Sequence, residues 1–149
     1  MSNSDLISLY SKRILALAAS IPHTDRLAEP DATSQKRSPL CGSNVTVDIC
    51  QRDGIVTAFG QDVKACALGQ AASSVVGSVI LGRNVEELEK ARDQLLAMLK
   101  TDGPVPDAPF DGFEVLLPAR EYKNRHASIM LCIEASLEAL KTAKKTPQP

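Results

Sequence analysis

Apolar positions recur at helical spacing near the start of the chain. Leu6, Ile7, Tyr10, Ile14, Leu15 and Leu17 form a mostly one-sided stripe, with Ser4-Asp5 as a cap and Ile21-Pro22 as a stop. The pattern predicts a helix over residues 6–20. Residues 23–38 are polar with a proline inside, which suits a loop or a weak edge strand. The period then changes from helical to alternating. Val45, Val47 and Ile49 interleave with Asn44, Thr46 and Asp48, Arg52-Asp53-Gly54 supplies turn chemistry, and residues 55–59 return as a second strand. An Asp-Gly between two such runs predicts an antiparallel hairpin.

From Ala65 the chain is small and apolar all round, with Gly69 and Gly77 inside the run and Gly82 at its end. Such a segment predicts a buried helix packed closely on its neighbours. Asn84 caps the next helix, Glu86 and Glu87 fill its first turn as the helix dipole prefers, and Val85, Leu88, Ala91, Leu95, Met98 and Leu99 make its stripe. Residues 101–109 form a Pro/Gly loop and residues 113–117 a short apolar run. A last helix is expected over residues 125–145, carrying Ile129, Ile133, Leu137 and Leu140, before a frayed tail. The expected fold class is α+β. It has a small antiparallel sheet of about three strands, helices packed on one face, an N-terminal helix and a long C-terminal helix. The 149 residues are expected to form a single domain, with residues 4–145 as ordered core and 146–149 as tail.

Composition narrows the function classes. Aromatic residues are only 3% and Trp is absent, so the core must be built from Leu, Val, Ile and Ala. A net charge of -1, from 17 basic and 18 acidic residues, argues against nucleic acid or an anionic membrane as partner. The N-terminal segment lacks the leading positive charge of a signal peptide, and Lys12 and Arg13 interrupt its apolar run. No apolar run reaches membrane-spanning length. A cytoplasmic setting is therefore expected, where four cysteines are thiols or ligands more often than a disulfide framework.

Candidate chemistry centres on Cys41, in SPLCGSNVTVDIC. This cysteine stands on a turn, between Pro39-Leu40 and Gly42, at the mouth of the first hairpin strand. Cys66 stands just past the second strand, at a helix start, where the dipole favours a thiolate. A hairpin turning at residues 52–54 brings both to one edge. His126, at the start of the final helix, is the third candidate ligand for a soft metal or a cluster. Cys50 lies at the wrong end of the hairpin and Cys132 on an apolar helix, so both are expected to be packing residues. His23, in a polar loop, is given no role. No Cys-x-x-Cys and no clustered Ser/His/Asp set points to disulfide exchange or hydrolysis.

PLCG before a hairpin, then ACALGQAASS, Gly82-x-x-x-Glu86-Glu87 and RHASIML near the C-terminus, in that order, resemble the NifU/IscU/SufU family of iron–sulfur cluster assembly scaffolds. The resemblance spans about residues 4–145. It implies an assembly scaffold or sulfur acceptor, more a carrier than an enzyme, that holds a nascent iron–sulfur cluster or Zn2+. The implied partners are a cysteine desulfurase and iron–sulfur recipient or chaperone proteins. Three cysteines and an aspartate serve as ligands in that family. By matching segments Cys41 and Cys66 are the first two, with one or the other as persulfide acceptor, and the third falls on His126. The aspartate falls on Ser43, and the residue before the third cysteine on Arg125. A Cys2His set with a fourth position open suits zinc. The two departures also raise an alternative, a degenerate relative that binds or regulates the assembly machinery without carrying a cluster.

Overall fold

The computed structural model describes residues 11–145, so Ser4-Asp5, Leu6, Ile7, Tyr10 and the tail 146–149 lie outside the described residues. The described part of the first helix is α1, Lys12–Ala19. Ser11 caps it, accepting from the Ile14 N–H at 3.3 Å, which satisfies one of the donors a helix start leaves open. The remaining elements are β1 (Ala32–Arg37), β2 (Asn44–Arg52), β3 (Ile55–Lys64), α2 (Ala67–Val79), α3 (Val85–Lys100), a 3₁₀ segment η1 (Phe110–Glu121) and α4 (Lys123–Lys145).

The sheet is antiparallel in the order β1-β2-β3. Asp53 and Gly54 turn β2 into β3 with φ of 55° and 80°, the pair of left-handed residues that matches the twist of a tight hairpin. β3 runs to Lys64, longer than the 55–59 expected, and its register with β2 shifts between Cys50 and Gln51 of β2. Within residues 23–38, Ala32–Arg37 forms the edge strand β1.

One face of the sheet carries Val45, Val47, Ile49 and Phe59, all buried, and packs under α4. Ile129, Ile133, Leu137 and Leu140 meet it from the helix side, as the 3.6-residue period predicts. α1 packs on α2, and α2 and α3 pack against α4. The Asn84 cap closes as a full capping box with Glu87. The short apolar run at 113–117 is part of η1, where Phe110, Phe113, Val115, Leu116 and Ala119 are buried.

The opposite face is held by one carboxylate. Asp48 is fully buried and accepts from Arg26 Nε at 2.6 Å and Nη2 at 3.0 Å, the Leu27 N–H at 3.0 Å and the Thr33 hydroxyl at 2.5 Å. These bonds fasten the segment around residues 26–27 across β2. Burial alone would push this carboxyl up. The Arg26 guanidinium, the Thr33 hydroxyl and the Leu27 N–H outweigh it and hold the pKa below the usual carboxylate value.

A carboxyl with a depressed folded-state pKa adds stability that is fully present above its unfolded value near ~4 and is lost as pH falls through the folded value. Asp48→Asn should cost about 1–3 kcal/mol at neutral pH, through the donors it leaves unsatisfied. It should also flatten the loss of stability below about pH 4. Urea denaturation followed across that pH range measures both effects.

Candidate functional site

The site grows from the β1–β2 connection. The Ser38 N–H donates to the Ser43 carbonyl at 2.8 Å and the Gly42 N–H to the Ser38 carbonyl at 3.0 Å, which closes a four-residue loop, Pro39-Leu40-Cys41-Gly42. Gly42 adopts φ of 72°, a conformation that a side chain would strain. The loop presents Cys41 to solvent beside Leu40, which is 77% exposed.

The ladder fixes what stands nearby. Asn44 pairs with Lys64, so the end of β3 lies beside the start of β2. Two residues later Cys66 takes the N-cap position of α2, its carbonyl accepting from the Gln70 N–H at 2.9 Å. Its side chain makes no cap bond and is free for other contacts.

Two serine hydroxyls, those of Ser43 and Ser128, connect the two sulfurs, and a third, Ser38, touches Cys41. Cys41 Sγ lies 3.3 Å from Ser38 Oγ and 3.1 Å from Ser43 Oγ. Ser128, on α4, donates its hydroxyl to Ser43 Oγ at 3.2 Å, and Cys66 Sγ lies 3.6 Å from Ser128 Oγ. All three serines are buried, at 0%, 5% and 1% exposure, so their hydroxyls are committed to the site instead of to water. The contact between α2 and α4 depends on Gly69. A Cβ there would sit 2.6 Å from Ser128 Oγ and 2.8 Å from the Ala65 Cβ.

Hydroxyl donors favour the ionised form of a thiol. Ser38 first, then Ser43, lower the Cys41 pKa to about 7, against a smaller opposing effect of burial. The thiolate is the nucleophilic and metal-binding form, so Cys41 is armed near neutral pH. Cys132 is the contrast. It is fully buried, 3.3 Å from Gln61 Oε1, and burial pushes its thiol up to about 12. Cys50 pairs with Ala58 near the far end of the hairpin, its Sγ 3.5 Å from the Glu29 carbonyl.

The structure brings Cys41 and Cys66 to one site and places His126 elsewhere. The His126 ring is buried and donates from Nε2 to the Ala119 carbonyl at 2.9 Å, against η1. Among the described residues its Nδ1 has no hydrogen-bond partner. Burial, opposed by the bond to Ala119, lowers its pKa and keeps the ring neutral. The cause is helical phase: His126 and Ser128 are two residues apart, roughly 200° around the axis, so the residue that reaches the sulfurs is the serine. Among the described residues no group of three or more His, Cys, Asp or Glu side chains is arranged to hold a metal. Ser38 and Ser128 line the candidate site in addition to the residues that the motifs supplied. Both lie inside the segments that carry the resemblance, SPLCG and RHASIML, and a hydroxyl among the apolar positions of the last helix was the available signal.

No protein-family model matches the chain. The crystal structure of a nitrogen-fixing NifU-like protein (N-terminal) from Brucella abortus is 43% identical and superposes with a TM-score of 0.92, covering 96% of this chain and 99% of that one. The chain belongs to the NifU/IscU/SufU-type family. The iron–sulfur cluster assembly scaffold protein IscU of Thermotoga maritima is 23% identical over 133 residues, 89% of this chain and 93% of that protein. A SUF-system scaffold protein from Fervidobacterium islandicum AW-1 shares the fold, with a TM-score of 0.79 at 16% identity over 90% of this chain and 98% of that one. Among the described residues no helix is long and apolar enough to cross a membrane.

The hydroxyl contacts make a direct test. Ser38→Ala and Ser43→Ala should each raise the Cys41 pKa above about 7, towards the value of a free thiol. The pH dependence of iodoacetamide alkylation at Cys41, read by peptide mass spectrometry, should move alkaline in both variants and furthest in the double variant.

Proposed function

We propose that this chain is an iron–sulfur cluster assembly scaffold that accepts sulfur on Cys41 from a cysteine desulfurase. The observation that carries the reading is the joining of an exposed, readily ionised Cys41 to Cys66 through Ser43 and Ser128. A thiolate on an exposed turn can attack the outer sulfur of a donor persulfide, leaving the donor as a thiolate and Cys41 as the persulfide. The buried hydroxyls then stabilise the negative charge of the new terminal sulfur.

The cluster in this reading is cargo. Cys41 and Cys66 offer two sulfur ligands where a two-iron cluster takes four protein ligands. Ser43 offers a neutral hydroxyl in place of a carboxylate, and so holds iron less firmly. A partly satisfied cargo keeps positions free for incoming sulfur or for the thiols of a recipient protein, which suits passing on more than storage. Zinc has less support, since catalytic-type sites supply three protein ligands and His126 is turned to η1.

Anaerobic incubation with iron, cysteine and a cysteine desulfurase should leave iron and acid-labile sulfide on the chain, with persulfide mapped to Cys41. Cys41→Ala should reduce bound iron and sulfide about tenfold or more, as loss of the entry thiol requires. A chain that takes up neither iron nor sulfur would overturn the reading. The small number of ligands favours one second reading, a binding or regulatory partner of the assembly machinery. In that case pull-down of the desulfurase would persist unchanged in Cys41→Ala and Cys66→Ala.

A further inference from the structure

We propose that Cys66 resolves the persulfide on Cys41, releasing the accepted sulfur as sulfide and closing a Cys41–Cys66 disulfide within the chain. The inference rests on the reading of Cys41 as sulfur acceptor and adds a fate for the sulfur.

The two thiols are unlike in a way that assigns the roles. Cys41 is exposed at the loop tip, where a bulky donor can reach it. Cys66 is half-buried at the start of α2, behind Ser128, where a large donor cannot dock as readily as a neighbouring side chain. The Ser128 hydroxyl touches Cys66 Sγ and bonds Ser43, which in turn touches Cys41 Sγ. Ser128 also contributes to the lowered pKa of Cys41, so one hydroxyl serves both sulfurs. The tip of the Cys41 loop stands in open space, since a Cβ at Gly42 would meet nothing within 4 Å.

The chemistry balances without a metal. The Cys66 thiolate attacks Cys41 Sγ, the S–S bond to the terminal sulfur breaks, and that sulfur leaves as hydrosulfide. The Cys66 proton is passed through the Ser128 and Ser43 hydroxyls, each of which can donate and accept. Two thiols are oxidised to one disulfide and one sulfane sulfur is reduced to sulfide. A single turnover needs only the donor persulfide, and repeated turnover needs an external dithiol to reopen the disulfide. The other two cysteines cannot substitute, because Cys132 is enclosed beside Gln61 and Cys50 sits towards the far end of the β2–β3 ladder.

The test uses the reduced, desalted full chain and one equivalent of glutathione persulfide, with no other reductant. Intact-mass spectrometry should show a species that has gained one sulfur atom, followed by one that has lost two hydrogens as sulfide appears, one per chain. Peptide mapping should place the disulfide between Cys41 and Cys66. Cys66→Ser should retain the persulfide on Cys41 and release sulfide at least about tenfold more slowly, as loss of the attacking thiolate implies. Ser128→Ala, once loaded with persulfide, should release sulfide several-fold more slowly than the loaded wild-type chain. A wild-type chain that keeps its persulfide, a disulfide that maps to Cys50, or sulfide release unchanged in Cys66→Ser would overturn the inference while leaving Cys41 an acceptor. A chain that never gains sulfur would overturn the acceptor reading itself.

Discussion

Register in the β2–β3 ladder governs where the rest of the molecule can stand. Asn44 opposite Lys64 puts the β1–β2 loop and the entry to α2 at one end of the sheet. It also turns Val45, Val47 and Ile49 towards α4 and Asp48 towards Arg26. A slip of one residue would exchange those two faces, burying Asp48 among hydrocarbon and exposing the valines. The Asp53-Gly54 turn sets that register locally, and the Asp48 bonds reward it from the other face. Chemistry and folding are thus specified by one pairing.

Much of this architecture could be read from the residues. The alternation in β2, the Asp-Gly turn, the Asn84 cap and the stripes of α3 and α4 each follow from local chemistry, and local chemistry prevails there. β1 was ambiguous because ATSQKR has almost no apolar signal. It becomes a strand by pairing with β2, which is a tertiary effect. The 3₁₀ character of residues 110–121 was equally silent, since its apolar residues follow neither a strand nor an α-helix period.

The site divides along the same line. Cys41 and Cys66 were legible because turn chemistry and hairpin closure are short-range. His126 faces η1 through a phase that only the packed helix reveals, and the same phase brings Ser128 to Ser43. The Ser128 hydroxyl matters only once α4 lies against α2. Replacing a carboxylate by Ser43 then changes the electrostatic character of the site. A carboxylate would repel a sulfur anion, whereas a hydroxyl can turn its proton towards one. The serines therefore favour a negatively charged sulfur at the place where a carboxylate would favour a cation.

The close approach at Gly69 has a wider consequence. The Cys41 sulfur belongs to a loop of the sheet, the Cys66 sulfur to α2, and the Ser128 hydroxyl between them to α4, so no covalent link shorter than the fold itself keeps them in step. The missing methyl at Gly69 acts as a spacer of zero thickness, and the distance between two helices becomes the calibration of a chemical gap. Any motion that parts those helices disconnects the thiols without breaking a bond.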